Sequence, residues 1–260
     1  MNLKQFKKKA LLPNDELFTI LFISPITIRL AYFFYKNKWK ITPNHITYSR
    51  MYILAPITIL CLFLASLLEI REFYLIVPVL MYFIFFTDEL DGDLARGSNQ
   101  KSEFGAFLDT ISDRVMILLF FIFLFSLGLY TSNFILVFGS ILLFYLKDLN
   151  LTIINKIYYY KKNLSNEQLF SSEKEVRQLG LEGMRRISYN LLKKIIKHKR
   201  YGGNLGGVER MVLMVILPSL LVFFNLTNLA VWMSYIYLVL FSWFYISRTI
   251  GIIQSIKDIQ

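Results

Sequence analysis

The chain has 260 residues, 55% of them hydrophobic, and carries a formal net charge of +11. This composition is too apolar for an ordinary soluble domain and indicates a polytopic membrane protein. Because the basic residues flank apolar stretches instead of forming one soluble face, we expect no nucleic-acid partner and favour the anionic headgroups of a lipid bilayer. The single cysteine, Cys61, excludes an internal disulfide or a cysteine metal cluster.

Residues 17–40 begin with an apolar run that contains Pro25 and Arg29 and continues into a Lys-rich segment. The run has no small-residue cleavage site, so it does not look like a signal peptide. If it crossed the bilayer, the basic clusters on its two flanks would face opposite sides. We therefore predict an amino-terminal interfacial amphipathic helix over residues 17–40 in preference to a seventh span.

Six further apolar stretches are long enough to cross a bilayer, which takes about 20 residues each. They cover residues 46–68, 73–95, 104–129, 133–155, 208–224 and 229–250. Lys and Arg are concentrated in the amino-terminal segment and between the fourth and fifth stretches, and the turns on the other side contain one basic residue, Arg71. The fold class is therefore predicted to be all-α, a polytopic membrane protein with six transmembrane helices, in the plasma membrane with both termini and the active site cytoplasmic.

We predict a single membrane domain over residues 1–260. Residues 42–155 would contain the first four spans, 156–207 a basic cytoplasmic insert, and 208–260 the last two spans. Ser172 and Glu175 form a capping-box pattern at the start of a helical repeat within the insert. That helix would rest on acidic lipid or shield the active site, or the insert would be an ordinary basic connector.

Two pairs of aspartates lie where the second and third apolar stretches reach the cytoplasmic surface. Asp88 and Asp91 are three residues apart, and Asp109 and Asp113 are four apart. On helices these spacings place each pair on one face. Four converging carboxylates would repel one another strongly, and a divalent cation with oxygen ligands is the economical explanation. A metal held by carboxylates suggests phosphoryl transfer.

The same region resembles a known signature. It reads D-x-x-D-G-x-x-A-R, eight residues, then G-x-x-x-D-x-x-x-D, and this pattern is similar to the signature of the CDP-alcohol phosphotransferase (CDP-alcohol phosphatidyltransferase) family. Every fixed position is filled, by Asp88, Asp91, Gly92, Ala95, Arg96, Gly105, Asp109 and Asp113. The segment from Thr42 to Thr47, T-P-N-H-I-T, also looks like the one that opens the first span in many members.

The resemblance implies an enzyme that uses Mg²⁺ or Mn²⁺ to cleave a CDP-linked donor, in a protein that is typically a homodimer. The metal ligands are expected among Asp88, Asp91, Asp109 and Asp113, because a metal would neutralise and polarise the pyrophosphate of the donor. By analogy with the family, Asp113 is also the catalytic general base that accepts the proton of the incoming hydroxyl.

The remaining signature positions are predicted to bind the nucleotide. Gly92 and Ala95 would leave room for it beside the helix, and Arg96 offers a guanidinium fork for phosphate. Asn44 and Asp91 complete the predicted nucleotide contacts, and Gly105 would permit close approach of the facing helix. Glu89 and Asp93 fall on other faces of their helix, and we interpret them as solvated charges.

The acceptor alcohol is not specified by the sequence. Lys147, Arg210 and Arg248 would form a basic pocket suited to a phosphorylated acceptor. Equally, they would extend to lipid phosphates, which is common for cations near helix ends.

The predicted reaction moves a phosphatidyl group from a CDP-linked donor, with CDP-diacylglycerol favoured, to an alcohol acceptor in phospholipid biosynthesis and releases CMP. The nearest alternative is a CDP-choline or CDP-ethanolamine type of phosphotransferase that acts on a lipid hydroxyl with the same residues. A divalent-cation transporter is a third reading, since acids within membranes often mark ion paths. Transport would need polar groups deep in several spans, whereas these acids cluster at one surface.

Overall fold

A computed structural model describes residues 1–11, 17–162, 208 and 211–257. These residues contain helices and no strand, as the predicted all-α class requires. The helices, numbered in chain order, are α1 (Leu3–Ala10), α2 (Ser24–Lys36), α3 (Pro43–Ser49), α4 (Ala55–Leu67), α5 (Phe73–Ser98), α6 (Glu103–Tyr130), α7 (Phe134–Lys162), α8 (Leu217–Phe223) and α9 (Thr227–Lys257).

Three stretches of helix in the described residues are long and apolar enough to cross a membrane. They are Pro43–Leu67, which joins α3 to α4, and the helices α5 and α6. At 1.5 Å per residue, each exceeds the roughly 30 Å of a bilayer's hydrocarbon core. Large apolar side chains such as Leu60, Phe134 and Trp232 are exposed on the surface, as contact with lipid requires. Six spans and an interfacial α2 remain predictions.

Within the described ranges, three π-helical turns interrupt the helices, and each one precedes a proline by the same distance. The turns Thr19–Ile23, Arg50–Leu54 and Val212–Ile216 end two residues before Pro25, Pro56 and Pro218, respectively. Proline has no N–H to donate, and its ring crowds the carbonyl one turn earlier, so the regular hydrogen-bond ladder cannot continue there. A π turn accommodates the displaced carbonyl and keeps the helix continuous.

The main core lies where α4, α5 and α6 pack together, with α7, α8 and α9 completing the bundle. Its largest buried side chains include Tyr74, Met81 and Phe123. The Tyr74 hydroxyl hydrogen-bonds with Ser126, and Ser126 donates to the carbonyl of Leu62 over 2.7 Å. These polar contacts join three helices inside apolar surroundings.

A second core fixes the amino terminus to α5. Phe6 of α1 is fully buried, and its ring contacts the rings of Tyr32 and Tyr35 on α2. A Cβ added to Gly97 of α5 would lie only 2.2 Å from the Phe6 ring. The missing side chain at Gly97 therefore forms the notch that holds α1, a helix that the sequence analysis did not predict.

We expect Gly97→Ala to release α1, because the added methyl would force Phe6 out of its notch at a cost of about 1–3 kcal/mol. Brief trypsin treatment followed by mass spectrometry should show faster cleavage after Lys7, Lys8 and Lys9 than in the wild type. Gly139→Ala is the matched control, since its Cβ would meet only the flexible end of Leu238, at 3.0 Å. Equal cleavage rates in both variants would contradict this account of the α1 contact.

Candidate active site

Three of the predicted aspartates converge in the structure. Asp88 and Asp91 lie near the end of α5, and Asp109 lies near the start of α6. Each offers a carboxylate oxygen, and these oxygens lie within 4.8 Å of one another. Asp91 is buried, whereas 60% of the Asp109 side chain is exposed, so the group opens to the surroundings on the α6 side.

A tight turn between α5 and α6 brings the two helices into this arrangement. Asn99 adopts a left-handed conformation with φ of 59° and ends α5, as the residue after a helix often does. Ser102 then begins α6 by accepting a hydrogen bond from the Gly105 amide over 2.9 Å. The chain reverses within four residues, and the end of one signature half is placed beside the start of the other.

Arg50 lies among the three carboxylates and was not among the predicted site residues. Its Nη1 is 2.5 Å from Asp88 Oδ1 and 3.3 Å from Asp91 Oδ2, and its Nη2 is 3.7 Å from Asp109 Oδ1. Its Nε donates to Ser112 Oγ over 2.6 Å. Only 1% of the Arg50 side chain is exposed. A buried guanidinium therefore neutralises part of the acidic group.

The first span contributes a row of polar residues to the site. Thr47 donates its hydroxyl proton to Asp91 Oδ2 over 2.7 Å, and the Oδ1 of Asn44 lies 3.2 Å from where a Cβ on Gly105 would stand. Asn44, Thr47 and Arg50 are spaced by three residues, which places them along one helix face. The sequence signal for Thr47 and Arg50 was therefore this spacing, extended from Asn44 of the recognised segment.

Asp93 and Glu89 are not solvated, and that interpretation is wrong. Asp93 is fully buried; it accepts a hydrogen bond from Thr27 of α2 over 2.7 Å and one from Arg96 over 2.9 Å. Glu89 is 3.3 Å from the same Arg96 nitrogen, Nη2. Burial is tolerated because each charge has a partner of opposite sign.

Arg96 joins three parts of the chain. Besides its two acidic partners on α5, it donates from Nε to the carbonyl of Ala10 at the end of α1, over 2.6 Å. The guanidinium also occupies the space beside Gly92, where an added Cβ would be 2.8 Å from its Nη1. The Arg96 side chain therefore fills the space beside Gly92 that was predicted for a nucleotide. Ala95, next to it, is partly buried.

Asp113 and Lys147 lie outside the three-carboxylate group. Asp113 is exposed on α6, one turn beyond Asp109, and it is not among the carboxylates that share the 4.8 Å group in the described residues. Lys147 on α7 places its Nζ 5.8 Å from the centre of the Phe121 ring, within range of a cation–π contact. Arg210 lies outside the described residues, as do the side chain of Arg248 and the predicted helix of the insert.

The donor set fits a hard divalent cation. Mg²⁺ and Mn²⁺ prefer carboxylate oxygens, and Mg²⁺ binds them at about 2.0–2.1 Å, so ligand oxygens of one ion lie roughly 3–4 Å apart. Oxygens within 4.8 Å reach that spacing by small side-chain rotations. Asp88, Asp91 and Asp109 would hold such an ion and would leave its other positions for substrate oxygens.

The protein has long apolar helices, and two of them share an acidic group. These features place it in the class of helical membrane proteins that have a polar site at one end of their spans. Residues 40–243 match the family model of CDP-alcohol phosphatidyltransferase. The match covers most of the chain and includes every signature residue, so the protein belongs to the CDP-alcohol phosphatidyltransferase family, and the predicted resemblance is confirmed. It is a membrane enzyme of phosphatidyl transfer. Searches of curated proteins and of solved structures gave no match.

Proposed function

We propose that this protein transfers the phosphatidyl group of CDP-diacylglycerol to the hydroxyl of an alcohol acceptor and releases CMP, in a reaction that depends on Mg²⁺ or Mn²⁺. The observation that carries the proposal is the meeting of Asp88, Asp91 and Asp109 from two signature helices within 4.8 Å. Family membership supports the donor class, and the long apolar helices support a lipid substrate.

In the proposed reaction, the acceptor oxygen attacks the phosphorus atom that carries the diacylglycerol. The bond from this phosphorus to the pyrophosphate bridging oxygen breaks, and CMP leaves with the bonding electrons. A bound divalent cation would neutralise the pyrophosphate and stabilise the leaving group. Asp113 would accept the hydroxyl proton, and its exposed position on α6 leaves it accessible to an incoming alcohol.

For the nucleotide, we propose contacts with Asn44, Asp91, Gly92, Ala95 and Arg96. Asn44 is supported by its position beside Gly105, which lies one turn before Asp109 on α6. Arg96 has two acidic partners and a backbone acceptor, so its main proposed role is to fix α1 and α5 relative to each other. The part of the Arg96 guanidinium that lies beside Gly92 would contact the phosphates of the donor.

The proposed membrane arrangement has six spans, cytoplasmic termini and a homodimeric assembly in the plasma membrane. The described lengths of α7 and α9 support the fourth and sixth spans, and the basic residues near the amino terminus support the orientation. For the acceptor, a pocket that includes Lys147, Arg210 and Arg248 would favour a phosphorylated alcohol. The alternative proposal is that these three cations bind the phosphates of lipid headgroups and not the acceptor.

Detergent-purified protein with Mg²⁺ or Mn²⁺ is expected to release CMP from CDP-diacylglycerol only when a suitable alcohol is added. Glycerol phosphate, inositol phosphate, inositol and serine form the test panel, with EDTA as the control for the metal. A parallel reaction with CDP-choline and diacylglycerol tests the alternative donor. Product formation in that reaction alone would reverse the assignment of donor and acceptor, and CMP release without any acceptor would contradict the proposed transfer.

A further inference from the structure

We propose that Arg50 is an internal counter-cation of the acidic group, which competes with the divalent cation for the carboxylates of Asp88, Asp91 and Asp109. This inference rests on the proposed metal site. It gives Arg50 a defined function: the guanidinium keeps the three carboxylates together when no divalent cation is bound, and it lowers the affinity for the cation that replaces it.

The guanidinium of Arg50 lies among the oxygens of the candidate metal site. Its terminal nitrogens lie 2.5, 3.3 and 3.7 Å from oxygens of the three carboxylates that form the candidate metal site. A divalent cation bound by the same three side chains would lie within a few ångströms of those nitrogens. Two positive groups that close together repel strongly, and the guanidinium would therefore withdraw from at least some of these oxygens when the cation enters.

The polar contacts of Arg50 are spread over several partners. Nη1 lies 2.5 Å from one oxygen of Asp88 and 3.3 Å from one of Asp91, and Nη2 lies 3.7 Å from Asp109, so none of the three carboxylates is paired with both nitrogens. Buried polar groups are normally hydrogen-bonded, and a guanidinium fixed for structural reasons usually forms aligned, often bidentate contacts. The Nε of Arg50 donates to the hydroxyl of Ser112 at 2.6 Å. The charged end is shared among three carboxylates without a bidentate pair, which suits a group that exchanges with another cation.

Arg96 provides the contrast within the same chain. It also contacts two carboxylates near the end of α5, but it donates hydrogen bonds to Ala10, Asp93 and Glu89. The hydrogen bond to Ala10 joins α1 to α5. Asp93 and Glu89 are not part of the three-carboxylate group. The geometry of Arg96 therefore supports a fixed structural contact between helices, whereas the geometry of Arg50 supports a counter-cation that can be exchanged.

The charge balance of the site also supports exchange of Arg50 with a cation. When all three carboxylates are ionised, as metal ligands are, their formal charge of −3 and the +1 of Arg50 leave −2 for one divalent cation to neutralise. Without Arg50, the carboxylates would attract the cation more strongly and would repel one another more strongly in its absence. Loss of Arg50 should therefore tighten cation binding and destabilise the protein in EDTA. A residue with only a packing role would not produce this pair of opposite changes.

The test compares wild-type protein with Arg50→Gln and Arg50→Lys in detergent. Mn²⁺ binding is followed by electron paramagnetic resonance, and thermal unfolding is measured in EDTA and in saturating Mn²⁺. We expect Arg50→Gln to bind Mn²⁺ about tenfold more tightly, and to unfold roughly 5 °C lower than the wild type in EDTA, with most of the difference removed by Mn²⁺. Arg50→Lys keeps the charge without the fork and should bind Mn²⁺ with intermediate affinity.

Arg71→Gln is the matched control. Arg71 lies at the turn before α5, where it contacts Glu72 and Asn225 away from the acidic group, so its loss should change neither Mn²⁺ affinity nor the response to EDTA. Wild-type protein that binds no Mn²⁺ would overturn the proposed metal site together with this inference. Wild-type binding with equal or weaker Mn²⁺ affinity in both Arg50 variants would overturn the inference alone. If Arg50→Gln folds only with Mn²⁺ present, Arg50→Lys still decides between these outcomes.

Discussion

Replacing Asp91 with Asn is expected to lower the rate of CMP release by about a thousandfold, because the proposed metal would lose a charged ligand that contributes several kcal/mol to transition-state stabilisation. Asn has nearly the same shape and still offers an oxygen to Thr47, which donates to Asp91 over 2.7 Å. The fold should therefore persist while the metal affinity falls. The measurement is CMP release as a function of Mg²⁺ and Mn²⁺ concentration, together with the unfolding temperature.

Glu72→Gln provides the control for loss of one carboxylate charge. Glu72 precedes α5 at the end opposite the signature, about 24 Å along the helix from Asp88, and is exposed. Its loss should leave both the rate and the metal titration unchanged. If Asp91→Asn retained the wild-type rate and an unaltered metal titration, Asp91 would not be a metal ligand, and the carboxylate group would need another explanation.

The long helices follow from the sequence because a sustained apolar run is a strong local signal. The predicted second and third spans, 73–95 and 104–129, correspond to Phe73–Ser98 and Glu103–Tyr130. The ends agree within three residues, and the carboxylates were assigned to the correct ends of these helices. The spacing of the signature predicted that Asp88, Asp91 and Asp109 meet, because it fixes the helix face of each residue, and the turn between α5 and α6 brings those faces together.

Features that depend on distant contacts were missed. α1 is only eight residues long and rich in lysine, so it has no strong local signal, and its position depends on Phe6 in the notch at Gly97. Asp93 was interpreted as solvated because its partner Thr27 is 66 residues away in the chain. Tertiary packing decides whether a short polar segment or a local ion pair such as Asp93 with Arg96 is buried, and periodicity does not encode it.

Arg50 was missed because the enrichment of Lys and Arg in cytoplasmic segments already accounted for its charge. It lies near the start of the first apolar span, in a strongly basic amino-terminal region where positive charge is expected from membrane orientation alone. The spacing from Asn44 through Thr47 to Arg50 indicates a polar face on an otherwise apolar span. Such a face needs partners inside the protein, and the acids of α5 are the available ones.

Asp113→Asn is expected to reduce turnover by about a hundredfold to ten-thousandfold while the protein still binds Mn²⁺ and the CDP-linked donor. Positioned general bases contribute within this range, and Asn cannot accept the proton of the acceptor hydroxyl. Asp113 lies one turn beyond Asp109 on α6 and outside the three-carboxylate group, which separates its proposed role from metal binding. Single-turnover CMP release and Mn²⁺ binding, measured on the same preparation, test both halves of this expectation.

Asp109→Asn is the informative comparison, because the two residues share a helix face and differ in whether they join the carboxylate group. We expect Asp109→Asn to weaken Mn²⁺ binding and to lose turnover as a consequence, whereas Asp113→Asn should lose turnover alone. Unchanged turnover in Asp113→Asn would remove this residue as the base. Loss of Mn²⁺ binding in both variants would instead make Asp113 a fourth ligand, and the hydroxyl proton would then have to pass to a group outside the four aspartates of the signature.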